Sequence, residues 1–246
     1  MESKTEAISQ NRADDEQPYN AENKRECEAD DFLSSCRDAT GRILKHMQDL
    51  PVREFHRFDT NRTALIIIDM VNGFAKDGLL SSEQIEVIIP PIVAFQKRCK
   101  EAGIKIIVFA DCHDRQSPEF AYYPEHCLMD SEESQVVDEI SEVGGFDLIR
   151  KNSTNGFHEE QFKNWIANNS HIDRFIVVGD CTDICISQFA LSLKTWFNSK
   201  NRISEVCVPI SMVATFDGEN HNSGFTELMA LYFMMGGGID VVKDIR

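Results

Sequence analysis

The sequence predicts an α/β protein built on a doubly wound, six-stranded parallel sheet with helices on both faces. Three observations lead there. Six short apolar runs, rich in β-branched residues, recur along the chain. Segments long enough to be helices separate them, a pattern that produces parallel strands and right-handed crossovers. The first run, ALIII at Ala64–Ile68, has no polar alternation, as suits a strand covered on both faces.

Residues 1–29 are rich in Asp, Glu, Asn and Gln and nearly free of large aliphatics, which predicts a poorly ordered acidic extension. Residues 30–61 read as an arm and linker. There Phe32, Leu33, Ile43, Leu44 and Met47 suggest one or two amphipathic helical turns between Asp31 and Leu50, stopped by Pro51. Residues 62–246 hold the alternating pattern. Strands are expected at Ala64–Ile68, Ile104–Ala110, Phe146–Arg150, Phe175–Val178, Ile203–Pro209 and Ile239–Val242. Helices are expected over Ser82–Ala102 (with a broken or late start at Pro90 and Pro91), Ser134–Glu142, His158–Asn168 and Gly224–Met235. One more helix follows the Phe175 strand. Its apolar positions Ile186, Phe189, Ala190, Leu193 and Phe197 recur at spacings of three and four, and Thr182 and Asp183 offer N-cap chemistry. Cys185 falls in its first turn, where unpaired N–H groups and the helix dipole favour a thiolate.

A formal charge of −16 and a pI near 4.8 argue against nucleic acid and anionic membrane as partners. No run is apolar enough to span a bilayer, and the N-terminus lacks a signal peptide's apolar core. Eight cysteines without regular spacing read as reduced thiols, so a cytoplasmic location is expected.

In doubly wound sheets ligands collect outside the carboxyl ends of the strands, at the switch in strand order. The first strand ends in Asp69, the second in Asp111-Cys112-His113, the third in Lys151 and the fourth in the Cys185 turn. Such a set suits acyl transfer. Asp69 takes the thiol proton, Cys185 attacks a carbonyl, Lys151 steadies the charges, and the N–H groups of Cys181 and Cys185 face the oxyanion. Asp111 and His113, two apart on an extended segment, point to one side. With His126 and Glu119 they make a candidate site for Zn²⁺, Mn²⁺ or Fe²⁺.

The segments ALIIIDMVNGF, FADCHD, SPEFAYYPEHC, IRKNSTNGF and GDCTDICI together resemble the isochorismatase-like cysteine hydrolases, and within them the nicotinamidases, over about residues 62–245. The resemblance implies a catalytic triad of Asp69, Lys151 and Cys185 and a non-proline cis peptide between Asp180 and Cys181. It also implies a divalent metal on Asp111, His113, Glu119 and His126, which binds the pyridine nitrogen of the substrate. Phe74 matches a ring-contacting aromatic, and Tyr123 stands where the family usually has tryptophan. The activity implied is metal-dependent deamidation of nicotinamide or a similar small aromatic carboxamide, with zinc the first expectation. Dimers or tetramers are frequent in the family.

The chain departs from the pattern at Leu128–Glu132, where the family shows a Gly-Thr-x-Gly type of turn. The interval from His113 to His126 is short, and Cys181 replaces an alanine. Both loop changes are expected to touch the pocket. His221, in DGENHN, reads as a surface loop residue. The alternatives are a metal-free hydrolase of another small amide or a vinyl ether, and a non-catalytic interaction protein that keeps the fold.

Overall fold

The computed structural model describes residues 29–246, so the acidic extension expected over residues 1–29 falls almost wholly outside the described residues. In chain order the elements are α1 (Ala29–Gln48), β1 (Val52–Arg53), β2 (Thr63–Ile68), α2 (Asn72–Ala75), α3 (Glu83–Glu86), α4 (Ile89–Glu101), β3 (Lys105–Asp111), α5 (Asp138–Val143), β4 (Asp147–Lys151), α6 (Glu160–Asn168), β5 (Arg174–Gly179), α7 (Ser187–Ser199), β6 (Glu205–Pro209), α8 (Ser223–Gly236), β7 (Asp240–Val242) and β8 (Asp244–Ile245). The described residues divide into two units between Ile43 and Leu44, and apart from the length of α1 everything described below belongs to the second.

Strands β2 to β7 make one parallel sheet in the order β4-β3-β2-β5-β6-β7. The chain steps outward from β2 to β4, then crosses back and steps outward again from β5 to β7. The switch point therefore lies between β2 and β5. All six residues of β2 are buried, which is why that strand carries no polar alternation. Helix α7 buries Phe189, Ala190, Leu193 and Phe197 as its spacing predicts, with Ile186 just before it. Each of the larger side chains adds about 1.5–3 kcal/mol through removal from water.

Several elements differ from the sequence reading. The helix at the N-terminal arm is 20 residues long, not one or two turns. The long helix expected over Ser82–Ala102 is two, α3 and α4, with Pro90 and Pro91 in the first turn of α4, where a missing N–H costs nothing. Only Asp138–Val143 of the Ser134–Glu142 segment is α-helical, since Ser134 instead closes a 3₁₀ turn. The fifth strand begins at Glu205, and Ile203 is exposed. Strands β1 and β8 form a second, two-stranded parallel sheet that pairs Val52 with Asp244 and Arg53 with Ile245. Two-residue strands have no period to read. Among the described residues no helix is long and apolar enough to cross a membrane.

Where β2 and β5 end side by side, the backbones close in on each other. Gly179 has φ +115, and a Cβ there would lie 2.0 Å from the Ile68 carbonyl oxygen. Asp180 N–H then donates to that same oxygen at 3.0 Å. Only glycine fits both the dihedral and the contact. Gly179→Ala is expected to cost at least about 3 kcal/mol, from a disallowed backbone plus overpacking. Urea unfolding checks it: an unchanged midpoint would show that the strand ends have room to part.

Candidate active site

Three adjacent strands deliver the charged centre. Asp69 follows β2, Asp111 ends β3, and Lys151 ends β4 directly beside Asp111 in register. Asp69 adopts φ 57, a left-handed conformation that Asp tolerates better than most residues. The Lys151 ammonium lies 2.8 Å from Asp69 Oδ2 and 2.8 Å from Asp111 Oδ1, donates to the Ser153 carbonyl at 3.1 Å, and stands 3.8 Å from Cys185 Sγ. All four side chains are buried.

Burial alone would strip the proton from Lys151, but Asp111 and Asp69 outweigh it and hold the amine charged. Asp69 is pushed up to about 6, by burial first; Lys151 pulls it down and Asp111 pushes it up. Burial also works against the charge on Asp111, yet Lys151, with His113 and His126, keeps it well below the usual carboxylate range. Neither Asp69 oxygen accepts an aligned hydrogen bond, although the Lys151 ion pair is close. The carboxylate therefore has acceptor capacity to spare.

Cys185 sits in one turn of π-helix, Thr182–Ile186, that leads into α7. Burial pushes its thiol well above the ordinary value, Lys151 opposes that, and Asp69 and Asp111 add to it. That direction runs against the thiolate expected from the helix terminus, because burial beside two carboxylates opposes the terminal N–H groups. The capping roles expected for Thr182 and Asp183 are also absent. Thr182 Oγ1 donates to Glu227 Oε2 at 3.1 Å, while Asp183 accepts from Thr215 Oγ1 at 2.5 Å and from His221 Nε2 at 2.8 Å.

The peptide between Asp180 and Cys181 is cis, as the resemblance implies. The Cys181 N–H has no hydrogen-bond partner among the described residues, so it remains available as a donor. Asp180 itself, which sequence reasoning passed over as a turn residue, is fully buried. Burial and the Asp69 charge push its carboxyl well above the ordinary range.

Asp111, His113 and His126 come together with their ligand atoms within 4.8 Å of one another. Asp111 Oδ2 is 3.2 Å from His113 Nε2 and 3.4 Å from His126 Nε2. Both ring nitrogens of His113 are buried without an aligned hydrogen bond, and His126 Nδ1 faces the Pro124 carbonyl at 2.8 Å, leaving Nε2 toward the cluster. One carboxylate and two imidazoles, with an orphaned nitrogen among them, fit a divalent transition metal. Glu119 is not in this cluster. Its Oε1 accepts the Thr154 N–H at 2.9 Å, and its Oε2 is buried without a partner.

A pocket opens onto both groups. Phe74, Tyr123, His126, Asp111, Cys181 and Cys185 line it, joined by Ile184, Leu80, Thr154 and Phe216. The last four were not read from the sequence, because nothing local distinguishes them from core or loop residues. The Leu128–Glu132 run, expected to shape the pocket, does not line it. Leu128 instead bridges to His113, Met129 N–H donates to the His113 carbonyl, and Glu133 Oε2 accepts the Cys127 N–H. That run is scaffold behind the histidines. His221 is not a free surface residue either, since its ring stacks on Phe216 at 4.0 Å.

A buried thiol beside a lysine and two carboxylates, gathered at one rim of a doubly wound sheet, is the arrangement of a hydrolase, and the relatives of the chain bear this out. Residues 63–233 match the isochorismatase domain, and the chain belongs to the isochorismatase family. It is 28% identical to Nicotinamidase 1 of Arabidopsis thaliana over 233 residues, which is 80% of this chain and 93% of the relative. The fold is shared with a nicotinamidase/pyrazinamidase of Bacillus subtilis (TM-score 0.63, 23% identity, 74% of this chain and 99% of that one). It is also shared with a pyrazinamidase of Pyrococcus horikoshii in complex with zinc (TM-score 0.61, 23% identity, 74% and 99%).

Lys151→Met keeps the aliphatic stem but leaves Asp69 and Asp111 buried without their cation. Stability should fall by about 3–5 kcal/mol at neutral pH. Part of that loss should return as pH falls toward the usual carboxylate range, because buried carboxyls without their cation take up protons above it. Urea midpoints of the variant at pH 7 and pH 4 test this, and a loss that does not shrink on acidification contradicts it.

Proposed function

We propose that the chain is a metal-dependent cysteine amidohydrolase of the cytosol that releases ammonia from nicotinamide or a similar small aromatic carboxamide. The observation that carries the reading is the Lys151 ammonium held between Asp69 and Asp111, 3.8 Å from the Cys185 sulfur. The other end of Asp111 joins the two histidines. The similarity to a plant nicotinamidase supports the substrate class. We take residues 62–246 as the hydrolase domain, with 1–29 and 30–61 as an acidic extension and a helical arm.

Asp69 accepts the thiol proton as the Cys185 sulfur bonds to the amide carbon. The backbone N–H groups of Cys181 and Cys185 receive the oxyanion. The C–N bond then breaks, and Asp69 returns the proton to the departing nitrogen, which leaves as ammonia. A water next gives a proton to Asp69 and attacks the thioester carbon; the C–S bond breaks and the sulfur regains the proton. Lys151 stays charged throughout and keeps Asp69 from drifting further toward the neutral form. Phe74 and Tyr123 hold the flat ring. Asp111, His113 and His126 would hold a divalent ion, zinc first, with Glu119 behind them at Thr154. Such an ion supplies a Lewis-acidic seat for a ring nitrogen.

The test is ammonia release from nicotinamide, with and without chelation. Cys185→Ala should lower kcat by at least about 10⁴-fold with the fold intact. Chelation and His113→Ala should each remove bound metal and activity together. Substantial turnover by Cys185→Ala would overturn the mechanism, and full activity of a metal-free sample would overturn the metal's part.

A pH profile follows from Asp69, pushed up to about 6. Only its carboxylate can accept the thiol proton, so kcat/KM should be lost as pH falls through about 6 and level off above it. An acid limb well below that value would assign the base elsewhere.

A further inference from the structure

Phe216 lines the pocket but is not carried by a strand of the sheet. It belongs to the segment between β6 and α8, which is held at its start by backbone hydrogen bonds and closed near its end by Ser223 N–H to Asp217 Oδ1 at 2.9 Å. At the start Ala214 N–H donates to the Gly179 carbonyl at 3.2 Å and Thr182 N–H to the Ala214 carbonyl at 2.9 Å. Beyond Thr215 the chain runs out through exposed residues 217–220, closed by two bonds between Gly218 and His221. Phe216 is partly buried against the core, and its outer face is left for the loop to cover.

His221 supplies that cover. Its ring lies flat on Phe216, 4.0 Å away and 9° from parallel. Its Nδ1 faces the Phe216 carbonyl oxygen at 2.9 Å and its Nε2 faces Asp183 Oδ2 at 2.8 Å. Both partner oxygens are acceptors, so each ring nitrogen faces a group to which it can donate. Asp183 lies two residues before Cys185 on the same π-helical turn, and its second oxygen takes the Thr215 hydroxyl. One side chain thus ties a pocket wall to the nucleophile's turn by stacking and by two hydrogen bonds.

We propose that His221 is a positioning residue for substrate selection: through Phe216 and Asp183 it holds the pocket to the width of a single flat ring. This rests on the amidase reading for its substrate, but not for its geometry. His221 touches no reacting atom. Its loss should therefore weaken ring binding and admit bulkier groups while leaving the chemical step in place.

Two variants separate the contributions. His221→Phe keeps a ring to stack and removes both donors, whereas His221→Gln keeps a donor toward Asp183 and removes the stack. Each is compared with the parent chain in KM and kcat for nicotinamide. A second readout is the rate of Cys185 alkylation by small iodoacetamide relative to bulky N-ethylmaleimide, localised by fragment mass spectrometry. For His221→Phe, KM should rise about tenfold with kcat within about threefold, and the maleimide-to-iodoacetamide ratio should rise by a similar factor. His221→Gln should fall between that variant and the parent. Asp183→Asn, which keeps the histidine but weakens its anchor, should move both readouts the same way if either His221 variant melts early. Unchanged KM and alkylation ratio in folded variants overturn the proposal, as does a fall in kcat alone. If the parent releases no ammonia from nicotinamide, the amidase reading fails, but the alkylation ratio still decides whether His221 sets the pocket width.

Discussion

Everything in the site follows from placing one ammonium group where water does not reach. A buried lysine keeps its proton only if anions replace the lost hydration. Here two do, Asp69 and Asp111, each 2.8 Å away. The sheet order explains how three distant residues meet: β4, β3 and β2 are neighbours, and each delivers its polar residue at its carboxyl end. The two carboxylates are then driven apart in character. Asp111 is held strongly acidic, while Asp69, pushed up to about 6, becomes a base that can both take and return a proton.

Asp111 also joins two functions that could have been separate. Its Oδ1 faces the ammonium and its Oδ2 faces both imidazoles. Any cation held by the histidines would therefore share an anion with Lys151, weakening the grip of Asp111 on the amine. More of the task of keeping Lys151 charged would then pass to Asp69. The histidine cluster and Asp69 are thus coupled through one carboxylate and one ammonium, not merely adjacent.

Much of this was legible in the sequence because it depends on strand ends. Apolar runs mark the strands, and the polar residue that closes a run marks the rim, which is how Asp69, Asp111 and Lys151 stand out, whereas Cys185 stands out by its place at the start of the next helix. What the sequence hid depends on partners far along the chain. Thr182 and Asp183 look like caps because Thr and Asp cap helices locally, but Glu227, Thr215 and His221, 32 to 45 residues on, claim them. The thiolate expectation meets opposition of a similar kind. The helix terminus is a local feature, whereas burial beside Asp69 and Asp111 is a tertiary one, and at such short range the tertiary influence is larger.

The pocket consequently has two kinds of wall. One kind is set by the sheet: Asp111, Cys185 and the Asp180–Cys181 peptide sit at strand ends that cannot move without breaking the parallel ladder. The other is set by the segment after β6, where Phe216 rests on the core with one face and on a histidine with the other. Substitutions in the first kind disturb a buried charge network worth several kcal/mol. Those in the second disturb a stack and two partly exposed hydrogen bonds, each worth about 0.5–1.5 kcal/mol. On the proposed reading, reaction chemistry and ring selection are thus built from materials of unequal stiffness, and changes near residues 216–221 would alter the second while leaving the lysine and its two carboxylates untouched.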